Sequence, residues 1–387
     1  MNMTKETKRA IYILIFGNFL ICLGISLVIP VQPFIKKMYG YSTTDIGIMT
    51  SLYAFAQFLA SPIVGRISDR MGRKVVIVTG LSLYMISEII FALSNSLWLF
   101  NVSRIIGGLS AAMFMPTSMA MAADLTDKKE RARVIGWISA AFSGGLILGP
   151  GIGGLLANFS IKTPFWAAAA LGLISTIFTI IFLVDEPQNL MTKSEKISWK
   201  HFLKPMMIVL FAMIFISSFG LQGFESIYSI YVNQVFKFSM GTIALVLTLN
   251  GISSLFFQIV MFDWLTRQLG ELHLIGLCFF LGGLCTVWIT QAHHQLEVII
   301  ATLIVFTAFD IVRPAITTLL TKTSQANQGL INGLNMSLTS VGNVVGPIMS
   351  GMLMDMNPQV PYIVVAMILF ASFVITLIVQ RVAVQKS

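Results

Sequence analysis

Three acids interrupt the long apolar stretches of this sequence: Glu88, Glu225 and Asp310. A carboxylate taken out of water has its charged form disfavoured, so it can hold a proton and release it when water or a cation arrives. Two arginines share that setting, Arg104 in NVSRIIGG and Arg313 in FDIVRPAIT. Asp310 and Arg313 are three apart, which makes them neighbours on a helical face, and Pro314 loosens the backbone beside them. Glu225 sits among small and aromatic residues in FGLQGFESIY. These acids read either as proton carriers or as static structural groups, and for Glu88 the structural reading is preferred. An arginine costs roughly 2.5–3.5 kcal/mol at the centre of a membrane span, so Arg104 either snorkels to the interface or serves a function. The remaining polar residues in apolar stretches, Asn18, Gln57, Gln222, Asn335 and Asn343, outline a candidate cavity. Around them lie Tyr53, Met115, Tyr228, Phe306 and Phe309, groups able to repack around different ligands. His293-His294 with Glu297 lacks a third well-spaced ligand, so no metal site is expected.

The elements that carry these residues are membrane helices. Of 387 residues, 56% are hydrophobic and 11% charged, against roughly 25% charged in a soluble protein, which excludes a soluble enzyme. The apolar runs are of helix length and do not alternate as barrel strands would. At about 20 residues per crossing, twelve spans are predicted over 11–35, 46–65, 75–93, 98–121, 134–158, 163–184, 205–232, 240–262, 272–291, 296–320, 329–354 and 361–379. The formal charge of +9 forms no contiguous basic patch of the kind nucleic acid requires. Most of the 25 cations instead fall in alternate connectors, including 66–74, 128–133 and 193–204. By the positive-inside rule those connectors and both termini are cytoplasmic. Cys22, Cys278 and Cys285 are an odd set inside spans, without the spacing of a disulfide framework.

The chain is also doubled. A shift of 197 carries Gly136, Gly145, Gly149, Pro150 and Gly154 onto Gly333, Gly342, Gly346, Pro347 and Gly351, and a shift of 198 carries Pro116 onto Pro314. The expected organisation is an N-terminal six-helix half (1–184), a cytoplasmic linker (185–204) with the polar run QNLMTKSEK, and a C-terminal six-helix half (205–387). Two such repeats are the architecture of a secondary transporter.

Between spans two and three stands GRISDRMGRK: Gly65, Asp69, Arg70, Gly72 and Arg73 at the spacing GxxxDRxGRK. Glycine permits a tight turn there, and Asp69 can cap the next helix or pair with an arginine. This decapeptide resembles the signature loop of the major facilitator superfamily, where it is a conformational latch. The corresponding turn of the second half, 263–270, keeps little beyond Gly270, which puts its latch in doubt. Span five holds GGLILGPGIGG, with Gly145, Gly149, Pro150, Gly153 and Gly154. Small residues four apart let helix backbones touch in lipid, and the pattern resembles the motif of the superfamily's proton-coupled drug exporters. RxxxG at Arg104 resembles the span-four motif associated with proton coupling.

Over essentially its whole length the chain is similar to the staphylococcal quinolone-resistance type of multidrug exporter within that superfamily. The resemblance implies an all-α membrane protein of twelve helices in two pseudo-symmetric halves, not an enzyme. It implies proton coupling by Glu225, Asp310 and Arg104. Substrate would be met by Gln57, Tyr53, Met115, Tyr228, Phe306, Phe309, Arg313 and Asn343. The implied activity is antiport of amphipathic, often cationic drugs, fluoroquinolones and dyes among them, against protons, without a cofactor. Its setting would be a functional monomer in the lipid of a bacterial cytoplasmic membrane. Ser143 and Leu146 depart from bulkier or amide residues of that type, which leaves the drug spectrum open. A tetracycline-type exporter would carry an acid in span one, absent from 18–30. The span-five motif disfavours a nutrient symporter, and no filter-like repeat or nucleophile–base pair supports a channel or an embedded enzyme.

Overall fold

The computed structural model describes residues 5–183, 205–323 and 328–384. The linker expected at 185–204, with Lys193, Lys196, Lys200 and Lys204, lies outside the described residues, as does Lys386. The described residues form twelve consecutive helical runs without a strand. The first is α1 (Lys5–Leu27), a 3-10 turn (Ile29–Val31) and α2 (Gln32–Tyr39). There follow α3 (Thr43–Met71), α4 (Arg73–Leu93), α5 (Leu97–Asp124), α6 (Lys128–Ala157) and α7 (Thr163–Phe182). After the linker come α8 (Pro205–Phe236), then α9 (Met240–Phe256), continuous with a π segment (Phe257–Met261) and α10 (Phe262–Leu269). The last four are α11 (Glu271–Gln291), α12 (Gln295–Thr323), α13 (Gln328–Met356) and α14 (Val360–Val384). Eleven of the runs are long and apolar enough to cross a membrane by composition. The other, α13, is 29 residues long. All twelve expected spans reappear, mostly lengthened by a turn at the ends.

Two compact units are evident. The first comprises Met1–Tyr41, Leu52–Lys193 and Ser239–Thr248; the second, Ser42–Ser51, Ser194–Phe238 and Leu249–Ser387. In the first unit α1 packs on α6 and α7, and α4 on α5 and α7. In the second, α8 packs on α13, α12 and α14, and α11 on α12 and α14.

The duplicated glycines explain the tightest of these contacts. A Cβ on Gly145 would stand 2.6 Å from the Phe19 carbonyl oxygen and 2.7 Å from the Leu23 nitrogen. On Gly149 it would overlap the Ser26 hydroxyl and stand 2.8 Å from the Leu23 carbonyl, and on Gly153 it would collide with Leu27. The backbone of α6 therefore lies directly on α1, as small-residue motifs in lipid allow. Ser26 bridges the two helices by donating to the Gly145 carbonyl at 3.1 Å. The second unit repeats the arrangement: a Cβ on Gly342 would be 2.8 Å from the Phe219 nitrogen, and one on Gly346 3.0 Å from the Gly223 nitrogen. Gly136 and Gly333 meet nothing within 4 Å, so only part of the repeated pattern serves close packing.

The start of α3 is anchored within the second unit. Asp355 on the last turn of α13 accepts hydrogen bonds from the backbone nitrogens of Thr43 and Thr44, both at 2.8 Å, and from the Thr44 hydroxyl at 2.6 Å. Ser42 and Asp45 add a reciprocal capping box. The three cysteines are free and buried. Glu297 accepts the backbone N–H of His293 at 3.2 Å, a local capping contact.

Candidate functional site

The residues expected to form a latch are brought together in the first unit by three helices. Gly72, between α3 and α4, has φ +93°, a backbone angle that only glycine adopts without strain. That turn delivers Arg73 to Asp69 at 2.7 Å and to Asp124, on the last turn of α5, at 3.1 Å. Arg73 also donates to the Ser68 hydroxyl at 2.9 Å. Asp69 thus pairs with an arginine and does not cap α4. Gly65 meets nothing within 4 Å.

Deeper in the same unit, Arg104 on α5 donates to Glu88 on α4 at 3.1 Å and lies over the Phe91 ring at 4.5 Å. It does not snorkel. Glu88, 3% exposed, is its counter-ion, so the structural reading of Glu88 acquires a specific partner. Serines 87 and 103 clamp the two helices by donating to each other's carbonyls at 2.8 and 2.9 Å. Tyr53 and Gln57 lie on α3 where it crosses Gly108, whose added Cβ would be 3.1 Å from the Gln57 nitrogen. Met115 is half-buried on α5. Asn18 is buried and satisfied, donating to Leu14 O at 2.8 Å and to Ser118 Oγ at 2.6 Å, so it ties α1 to α5.

In the second unit Asp310 and Arg313 open into one cavity of about 280 Å³, lined also by Ser217, Gln258, Thr317 and Asn335. Among the described residues the two form no direct ion pair, so a static Asp310–Arg313 bridge is not what holds them. Gln258, which lines the same cavity, belongs to the π segment. It donates to Ser254 at 2.9 Å, and Ser254 stands beside the Asp310 carboxylate. Glu225, on α8, accepts from Gln222 at 3.3 Å and lies within electrostatic reach of Asp310 and Arg313. The cavity can place a cation or a water beside a carboxylate, with polar groups to orient it. Asn343 is half-buried on α13.

The model of the family described as Major Facilitator Superfamily matches residues 14–324 and 210–387. The chain belongs to that superfamily. Among curated relatives, Multidrug resistance protein 1 of Bacillus subtilis (strain 168) is 40% identical over 92% of this chain and 93% of its own length. Quinolone resistance protein NorA of Staphylococcus aureus (strain COL) is 35% identical over 97% of each. A mutant form of the nucleoside transporter NupG superposes with a TM-score of 0.82 over 96% of this chain and 99% of its own at 14% identity, a likeness of fold. This is therefore a multi-pass membrane transporter.

The residues expected to meet substrate do not all stand open. Tyr228, Phe306 and Phe309, expected around a cavity, are 1%, 3% and 2% exposed. They pack with Phe224, whose ring centroid lies 5.3 Å from Phe306, 5.9 Å from Tyr228 and 6.5 Å from Phe309. In this conformer they fill their own space. Sequence reading also missed a charge pair in the second unit at the position equivalent to the Arg73–Asp124 pair. Gly270, φ +75°, is the counterpart of Gly72 at a shift of 198, and the same shift carries Arg73 and Asp124 onto Glu271 and Lys322. Glu271 and Lys322 form an ion pair, the first-unit pair with its charges reversed. Comparing residue types hid it; once the Arg73–Asp124 pair is known, comparing charges at that shift finds it. Exchanging the two residues (Glu271→Lys with Lys322→Glu) is expected to retain transport, whereas Lys322→Glu alone lowers it several-fold. Transport assays of the three variants check this, and equal rates in all of them contradict it.

Replacing Asp69 by asparagine is expected to lower turnover several-fold while leaving drug affinity within about twofold, because a latch biases interconversion between states. The pair is half-exposed and contributes at most about 1 kcal/mol to stability, so folding persists. Equal loss of equilibrium affinity in detergent, with the protein folded, contradicts this.

Proposed function

We propose that this transporter is a proton-driven multidrug exporter that exchanges amphipathic, often cationic compounds for protons, without a cofactor and as a monomer. The observation that carries the reading is a pair of acids inside otherwise apolar helices: Asp310 on α12, set with Arg313 at a polar cavity, and Glu225 on α8, within electrostatic reach of both. Fluoroquinolones and dyes are the proposed compounds, and the quinolone resistance in the name of one relative supports the first of them. Arg104, held by Glu88, contributes a fixed positive charge in the other unit. Gln57, Tyr53, Met115, Tyr228, Phe306, Phe309 and Asn343 supply contact surface once the aromatic cluster loosens. The proposed setting is a bacterial cytoplasmic membrane with both termini on the cytoplasmic side, where most of the cations fall.

In the exchange cycle a cationic drug needs a negative site, and a proton neutralises that site. Release of drug at the outer face is followed by proton uptake on the carboxylates. Proton loss at the inner face restores the charge that draws in the next drug. Ethidium efflux from cells expressing the protein, with and without a protonophore, tests the reading. Loss of efflux on uncoupling is the expected result, and undiminished efflux overturns it. A tetracycline-type exporter remains the second reading; the described part of α1 after its first turns carries no acid.

A further inference from the structure

Five buried hydroxyls gather in the second unit: Tyr231 on α8, Ser350 on α13 and Tyr362 on α14, which have no hydrogen-bond partner, and Tyr228 on α8 and Thr302 on α12, which face each other. Tyr228 is 1% exposed, and Tyr231, Thr302, Ser350 and Tyr362 are 0% exposed. A buried hydroxyl left unpaired costs roughly 1–3 kcal/mol. Phenylalanine fills the same ring space without that cost, as Phe224 and Phe306 do in the same cluster. Packing therefore accounts for the rings and leaves the hydroxyls unexplained.

Their order along the helices is directional. Tyr231 lies near the end of α8 and Tyr362 near the start of α14, with ring centroids 4.4 Å apart. Phe224 bridges them to the next level, 4.9 Å from Tyr362 and 5.9 Å from Tyr228. Thr302 lies beside Tyr228. A Cβ on Gly223 would stand 3.0 Å from the Ser350 hydroxyl, so Ser350 abuts the turn of α8 that carries Glu225. Tyr228 is three residues from Glu225 and adjacent to it on the helix surface.

We propose that these hydroxyls form a hydrated proton path from the face of the second unit that holds the end of α8 and the start of α14 to the carboxylate of Glu225. That face is the outer one under the proposed topology. Each hydroxyl accepts a proton from the water behind it and donates its own to the water ahead. One O–H bond forms for each that breaks, and the net result is one proton moved and one carboxylate protonated. Single waters between the hydroxyls satisfy the polar atoms that packing leaves bare. This rests on the reading of Glu225 as a proton carrier.

The test uses the full chain in liposomes, with Tyr231→Phe and Tyr362→Phe, singly and together, and Thr302→Val as a variant on a different helix. Proton-linked ethidium exchange, ethidium affinity and melting temperature are measured for each. The path predicts that exchange in the double variant falls at least about fivefold, a barrier change that leaves binding untouched, with ethidium affinity unchanged. Exchange at the wild-type rate with a raised melting temperature, which is what removing idle buried hydroxyls would do, overturns the proposal. Should the double variant fail to fold, Thr302→Val and the single variants decide by the same two readouts. A wild-type protein that shows no proton-linked exchange overturns the parent reading, and the path with it; a coupled wild type matched by its variants overturns the path alone.

Discussion

Glu225→Gln and Asp310→Asn are each expected to abolish uphill drug efflux, by tenfold or more on the scale of about 1.4 kcal/mol per decade, in a protein that still folds. Both substitutions keep the shape of the side chain and remove its ability to exchange a proton. Neither acid is tied into a strong structural bridge: Glu225 holds one long contact to Gln222, and Asp310 shares a cavity with Arg313 but no direct ion pair. The loss is thus one of coupling, not of assembly. Binding of neutral compounds persists, because the aromatic surface on α8 and α12 is untouched. Downhill dye movement and melting temperature, measured beside efflux, separate the two: a large fall in melting temperature assigns the acids to structure instead.

The second large effect concerns Gly149. A Cβ there already overlaps the Ser26 hydroxyl and stands 2.8 Å from the Leu23 carbonyl, and leucine adds three further carbons. Overpacking typically costs about 1–3 kcal/mol, and here the obstacle is backbone, which cannot rotate away. Gly149→Leu is expected to remove most folded protein or to stop transport in what remains. Gly136→Ala, at a repeat position on the same helix that meets nothing within 4 Å, is expected to be tolerated. Monodispersity in detergent and dye efflux measure both, and normal efflux by the leucine variant would mean that α6 does not lie on α1.

Much of this was legible beforehand because membrane helices announce themselves locally. Apolar runs of spanning length predicted all twelve helical runs, and the glycines repeated at half-chain spacing marked close packing, though not that the partners are α1 for α6 and α8 for α13. The latch was legible as a turn, since Gly72 must occupy a left-handed angle, but Asp124 was not, because an ion-pair partner on another helix leaves no periodic trace. Glu88 and Arg104 hid each other for the same reason: each is visible as a charge in hydrocarbon, and only the fold shows that they neutralise one another. The π segment that carries Gln258 into the lining of the Asp310 cavity has no residue signature at all. Tyr228, Phe306 and Phe309 were read as lining because large aromatics suit a cavity; they suit a closed ring cluster equally well, and in this conformer the cluster wins.

The most direct measurement of proton exchange by the two acids follows a pH dye in weakly buffered detergent solution as drug is added to purified protein. The wild type is predicted to release protons on drug binding, and the Glu225→Gln, Asp310→Asn double variant, folded and exposed to the same drug, to release none. Release from the double variant at the wild-type level would contradict the assignment of the carrier to this pair.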